Sequence, residues 1–89
     1  MDEQAMAAAL AARTQKANIL GVFDVANNTV AVIESRLLGE AIHFVANASV
    51  LGYDVRAAVV EYGTAGTPDI RARGCAVLWA KYGSALLGP

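Results

Sequence analysis

The chain has 89 residues, 56% hydrophobic and 17% charged, with a net charge of −1. Ordinary globular domains are roughly 45–50% apolar and roughly 25% charged, and a chain this short hides only about 60% of its unfolded surface by folding alone. One domain, residues 1–89, is expected. The even charge balance lacks the electrostatic footprint of a nucleic-acid binder, so nucleic acid is not an expected partner.

The chain opens on Met-Asp-Glu-Gln and the alanine-rich run Ala5 to Ala12. Acids stand where a secretory signal carries positive charge, so no targeting segment is expected. Alanine is the best helix former, and a helix over about 3–26 follows.

Residues 26–29, Ala-Asn-Asn-Thr, punctuate the chain. Two readings stay open for residues 20–33. Asn27 or Asn28 can end one helix while Thr29 caps the next, or the two asparagines can supply the positive φ of a β-hairpin turn flanked by valines.

Over residues 29–62, advancing about 100° per residue aligns Arg36, Glu40, His43, Asn47, Asp54 and Glu61 in one polar stripe. A single helix on the order of 50 Å is therefore expected. Its apolar flank, Val30, Ile33, Leu37, Leu38, Ala41, Phe44, Val45, Ala48, Leu51, Val55, Val59 and Tyr62, exceeds what shorter neighbours can cover. Asp24, Glu34, Arg36, Glu40, Asp54 and Arg56 interrupt every apolar run before it reaches the roughly 20 residues of a membrane span.

The segment from Gly63 to Asp69 is the next break. Thr67, Pro68 and Asp69 read as N-cap, first helical residue and first-turn acid, which predicts a helix over about 68–87. Ala72, Cys75, Leu78, Trp79, Tyr82 and Leu86 form its apolar stripe, making Cys75 a small buried hydrophobe rather than a reactive thiol.

The chemical candidates are few. Glu40 and His43 have the Glu-x-x-His spacing of carboxylate-bridged metal sites, but they lie on the polar stripe, the chain has one His and one Cys, and no metal is expected. Glu34 falls on the apolar arc and should pair with Arg13, Arg56 or Arg71, or lie near a helix end. Asp54 and Glu61 are two helical turns apart, too far to share a proton. Ser35, Ser49 and Ser84 have no His at helical spacing in the right order, so nucleophilic catalysis has no support. The Gly63 to Asp69 segment lacks the lysine of a phosphate loop. Catalytic residues, cofactor and small-molecule substrate are not expected.

Gly21, Gly39 and Gly52 follow Ala17, Ser35 and Ala48 by four residues, the small-residue pattern of closely packed helices. The fold class expected is all-α, a helical bundle of three helices completed by oligomerisation. Its function would be that of a non-enzymatic structural subunit that self-associates through apolar helix flanks into a homo-oligomer, filament, ring or virion. Tyr53, Ala57, Val60, Gly39 and Gly52 would form the interface. The alternative is a small helical adaptor or inhibitor that binds a different protein. The setting expected is cytoplasmic, or within a particle assembled inside the cell, because one cysteine provides no internal disulfide.

Overall fold

The computed structural model describes residues 1–63, 67 and 69–88, apart from the side chains of Val32, Glu34 and Ser35. The all-α bundle is not what forms. Helix α1 (Glu3–Ala11) leads into a hairpin of β1 (Lys16–Asp24) and β2 (Thr29–Leu37), then helix α2 (Leu38–Asn47) and a 3-10 turn (Ala48–Leu51). Short strands β3 (Tyr53–Asp54), β4 (Val59–Tyr62) and β5 (Ile70–Arg71) follow, then helix α3 (Ala72–Tyr82) and a last 3-10 turn (Gly83–Leu87).

The sheet is antiparallel, in the order β2-β1-β4-β5, with β3 beside the far end of β1. β1 is its spine. Two irregularities mark the β1–β2 register. Glu34 and Ser35 face one residue, Asn18, and Leu20 and Gly21 face one residue of β2. Gly21 has φ 74°, and a methyl group there would collide with the Ala57 carbonyl oxygen. Only glycine combines that backbone with that approach at no steric cost.

The expected long helix over 29–62 is thus three different things. Residues 29–37 are a strand, 38–47 a helix and 53–62 mostly strand and turn. The polar stripe misled because in residues 29–37 alternate positions, not every third or fourth, decide burial. Ala31 and Ile33 pair with the buried Val22 and Ile19 on one face of the sheet, while Val30 pairs with Phe23 on the other. Thr, Val and Ile also fit a pleated surface better than a helix.

The hairpin reading of the asparagines holds. Asn28 is the one described non-glycine residue with positive φ, at 52°, and Asp24 accepts hydrogen bonds from the Asn27 backbone and side-chain amides at 3.3 and 2.7 Å. The expected helix over 3–26 stops at Ala11 because Ala17, Ile19 and Val22 turn to a sheet core. The C-terminal helix begins at Ala72 with Arg71 as its N-cap, not at Pro68, which lies outside the described residues. Strand pairing of Ile70 and Arg71 with β4 claims the residues a longer helix would have used.

Helix α2 remains amphipathic within these shorter bounds. Leu38, Ala41, Ile42 and Val45 are buried at three- and four-residue steps, and Glu40 and His43 point outward. They meet Ile19, Val22, Val60 and Ile70 from the sheet, Met6 and Ala9 from α1, and Cys75, Leu78 and Leu86 from the C-terminal region in one core. The opposite sheet face carries exposed Lys16, Asn18, Glu61 and Arg71 around half-exposed Leu20, Phe23 and Val59.

Candidate functional site

Because β1, β2 and α2 run antiparallel in succession, the two ends of the sheet are built from different segments. At one end, residues 13–15 meet the start of α2 and the last residues of the chain. The Leu38 and Gly39 N–H groups donate to the Gln15 and Arg13 carbonyls at 2.8 and 2.9 Å, partners that the first turn of a helix cannot find within itself. Glu40 accepts from the Leu37 N–H at 3.2 Å. Arg13 donates to the carbonyls of Leu10 at 2.9 Å and Gly88 at 3.1 Å. Gly39 lies flush against Leu86, whose carbonyl oxygen would collide with any methyl group added there.

The other end is held by turns and is apolar outside. Val25 donates to the Gly52 carbonyl at 3.3 Å, which brings the hairpin turn beside the 3-10 turn. Gly52 takes φ 90° with open space around it, ending that turn in the left-handed conformation. Val25 is 59% exposed, Val50 86% and Leu51 67%. On the adjoining strand Val30 is 63% exposed.

Two charged groups frame this end. Arg56 grips Asp54 through its guanidinium at 2.7 to 3.1 Å, and the same carboxylate accepts the Arg56 N–H at 3.0 Å. Those bonds hold the Asp54 carboxyl below its ordinary pKa. The Asn27 amide does the same for Asp24.

β2 forms the edge of the sheet beside this end. Its backbone pairs with β1 on one side, and no described strand pairs with the other. From Thr29 to Ile33 the strand is Thr-Val-Ala-Val-Ile, with no charge, proline or glycine, the devices that usually guard an edge. The two-residue irregularity and the charges Glu34 and Arg36 come only after it.

The sequence-derived interface residues are scattered over the molecule. Val60 is fully buried in the sheet, and Gly39 is buried beneath Leu86. Neither is available to a partner. Tyr53 is half-buried, with its ring 5.4 Å from that of Phe44. Ala57 and Gly52 are exposed, Ala57 beside Gly21 and Gly52 at the apolar end. Val25 and Val50 are exposed because they lie in turns that a continuous helix would not have, and Val30, expected on an apolar helix flank, is exposed on the outer face of β2.

The other candidates resolve into packing. His43 is exposed, with its ring 4.5 Å from that of Trp79, and Glu40 is engaged in capping α2. Among the described residues no three His, Cys, Asp or Glu side chains gather as a metal site would require. Cys75 is buried, and desolvation pushes its thiol pKa up to about 12, which keeps it protonated and unreactive. The Glu34 side chain lies outside the described set.

Two open hollows, about 330 and 290 Å³, share Met1, Asp69 and Ile70. The larger is walled by Ala5, Ala8 and Tyr62 and the smaller by Arg71, Arg73 and Val77. The Asp2 carboxylate at the larger hollow already accepts the Ala5 N–H at 2.7 Å, as the N-cap of α1. Among the described residues no helix is long and apolar enough to cross a membrane. Comparison with protein-family models, with curated proteins and with solved structures finds no match.

Proposed function

We propose that the chain is a non-enzymatic association module, a subunit that joins a larger assembly through the open apolar end of its sheet. The observation that supports this reading is the cluster of Val25, Val50 and Leu51, which with the neighbouring Val30 are the most exposed large hydrophobic side chains among the described residues. Covering each such side chain contributes about 1.5–3 kcal/mol. Three of them approach, without clearly exceeding, the 4–15 kcal/mol or more that association costs. Further contacts must therefore accompany the patch. The homo-oligomer expected from composition is retained here, with sheet-end residues in place of helix flanks.

Light scattering tests the proposal. The intact chain is expected to show a mass well above the 9.2 kDa of one copy, and Val50→Asp with Leu51→Asp should lower it while the circular dichroism spectrum stays the same. A monomer in both cases would overturn self-assembly and leave the adaptor reading. An assembly indifferent to the double substitution would show that this end is not an interface.

A further inference from the structure

We infer that a second copy of this chain pairs with the free edge of β2, antiparallel and centred on Ala31, so that two sheets join into one. This rests on the association reading above and names the partner and the register.

The strand permits several ways of meeting itself, and its faces disfavour those that cross the irregularity at Glu34 and Ser35. Pairing about Ile33 or Ser35 would oppose residues from the two sides of the irregularity at Glu34 and Ser35, where the alternation of faces slips. In those registers Arg36, on the core face with Ala17, would meet Val30 on the outer face, or Ile33 on the core face would meet Leu37 on the other. Centring on Ala31 keeps all opposed pairs on one side of the Glu34 and Ser35 irregularity, and the bulge across from this segment belongs to β1, at Leu20 and Gly21. Thr29 then opposes Ile33 and Ala31 opposes its own copy, each pair on the core face of the joined sheet. Ala31 and Ile33 are only half-buried at the rim of the core, and the second strand would cover their open flank.

Charge agrees with this register. With about 3.3 Å per residue, Arg36 would lie roughly 13 Å from the centre once the irregularity is allowed for, level with the partner's hairpin turn. The anion of that turn is Asp24, whose Asn27 bonds favour the ionised form. The partner's Asp24 pairs with its Thr29, which would oppose Ile33, so it would lie on the same core face as Arg36 and roughly 7 Å short of it along the strand, and each copy brings a cation towards the other's anion. A parallel pairing would instead set Arg36 against Arg36, which is unfavourable.

Cysteine trapping tests the register in the full chain. Directly opposed residues of an antiparallel pair lie about 4.5–5.5 Å apart at Cα, within the 4.4–6.8 Å that a disulfide spans. Ala31→Cys should therefore give mostly linked dimer under mild oxidation, doubling the mass on a non-reducing gel. Thr29→Cys, whose two copies would be about 13 Å apart, should give little. The unsubstituted chain is the background control, since Cys75 is buried. Val30→Lys, at an exposed position, should lower the yield from Ala31→Cys several-fold without changing the helical and strand signal. Equal linking at 29 and 31, or no linking at 31, would overturn the inference. In the latter case a mass still above one copy that falls on substituting Val50 and Leu51 would keep the association reading and remove only this edge.

Discussion

The two ends of the sheet solve the same problem in opposite ways. Both must stop a hydrophobic layer and satisfy backbone groups where elements turn. At the end holding the start of α2, carbonyls from residues 13 and 15 take its free N–H groups, and the segment around Leu86 covers Gly39, while Leu37 and Leu87 stay partly exposed at 41% and 47%. At the hairpin end the turns satisfy themselves through Asp24, Asn28 and Gly52, and nothing described covers Val25, Val50 and Leu51. Burial here follows from which chain segments remain available, because the closed end receives three separate segments and the hairpin end only its own turns.

Four changes would break or sharpen that contrast, beginning with the most damaging. Val60→Asp places an unpaired carboxylate in the fully buried sheet centre, and a cost above about 4 kcal/mol is expected. Urea denaturation read by circular dichroism should find that variant mostly unfolded. Survival of the fold with only a loss of oligomer mass would mean that the strand is not interior. Gly39→Ala drives a methyl group into the Leu86 carbonyl. Overpacking of this kind costs about 1–3 kcal/mol, and the melting temperature should fall by roughly 4–8 °C for each kcal/mol in a domain of this size. An unchanged melting temperature would show that the C-terminal segment does not press on α2.

The hairpin end should respond differently. Replacing Val50 and Leu51 by Asp is expected to change monomer stability by less than about 0.5 kcal/mol, because neither side chain is buried, while the assembled mass falls. Acid has the smallest effect. Asp24 and Asp54 have folded pKa values below their ordinary ones, so their contribution is complete above about pH 4 and is lost as pH falls through the lowered folded values. Carboxyl titration followed by NMR should place both midpoints below those of unstructured aspartates. Midpoints at or above those of unstructured aspartates would show that the turn hydrogen bonds do not persist in solution.

How much of this was legible in the residues depends on the range of the cause. Cys75, Leu78 and Leu86 follow a local three- and four-residue rhythm, and they are buried as that rhythm requires. The asparagine turn was readable as one of two alternatives, since Asn27 and Asn28 suit either a helix stop or a hairpin. What decided between them is nonlocal. Ile19 faces Ile33 on one side of β1 and Val60 on the other, a contact between segments far apart in sequence. The helical alignment of Arg36 with Glu61 was real as arithmetic, but residues 53–62 obey sheet pairing. Two of the expected interface residues have other surroundings for the same reason. Val60 looked like surplus apolar surface on a rod, and in a sheet it is the centre of the core. Gly39 looked like a groove for another helix, and its close neighbour is the chain's own Leu86.

The seal between Gly39 and Leu86 also orders events in time. Residue 86 is synthesised well after the hairpin and α2, so one flank of α2 stays uncovered until the segment around Leu86 has been made and has docked on Gly39.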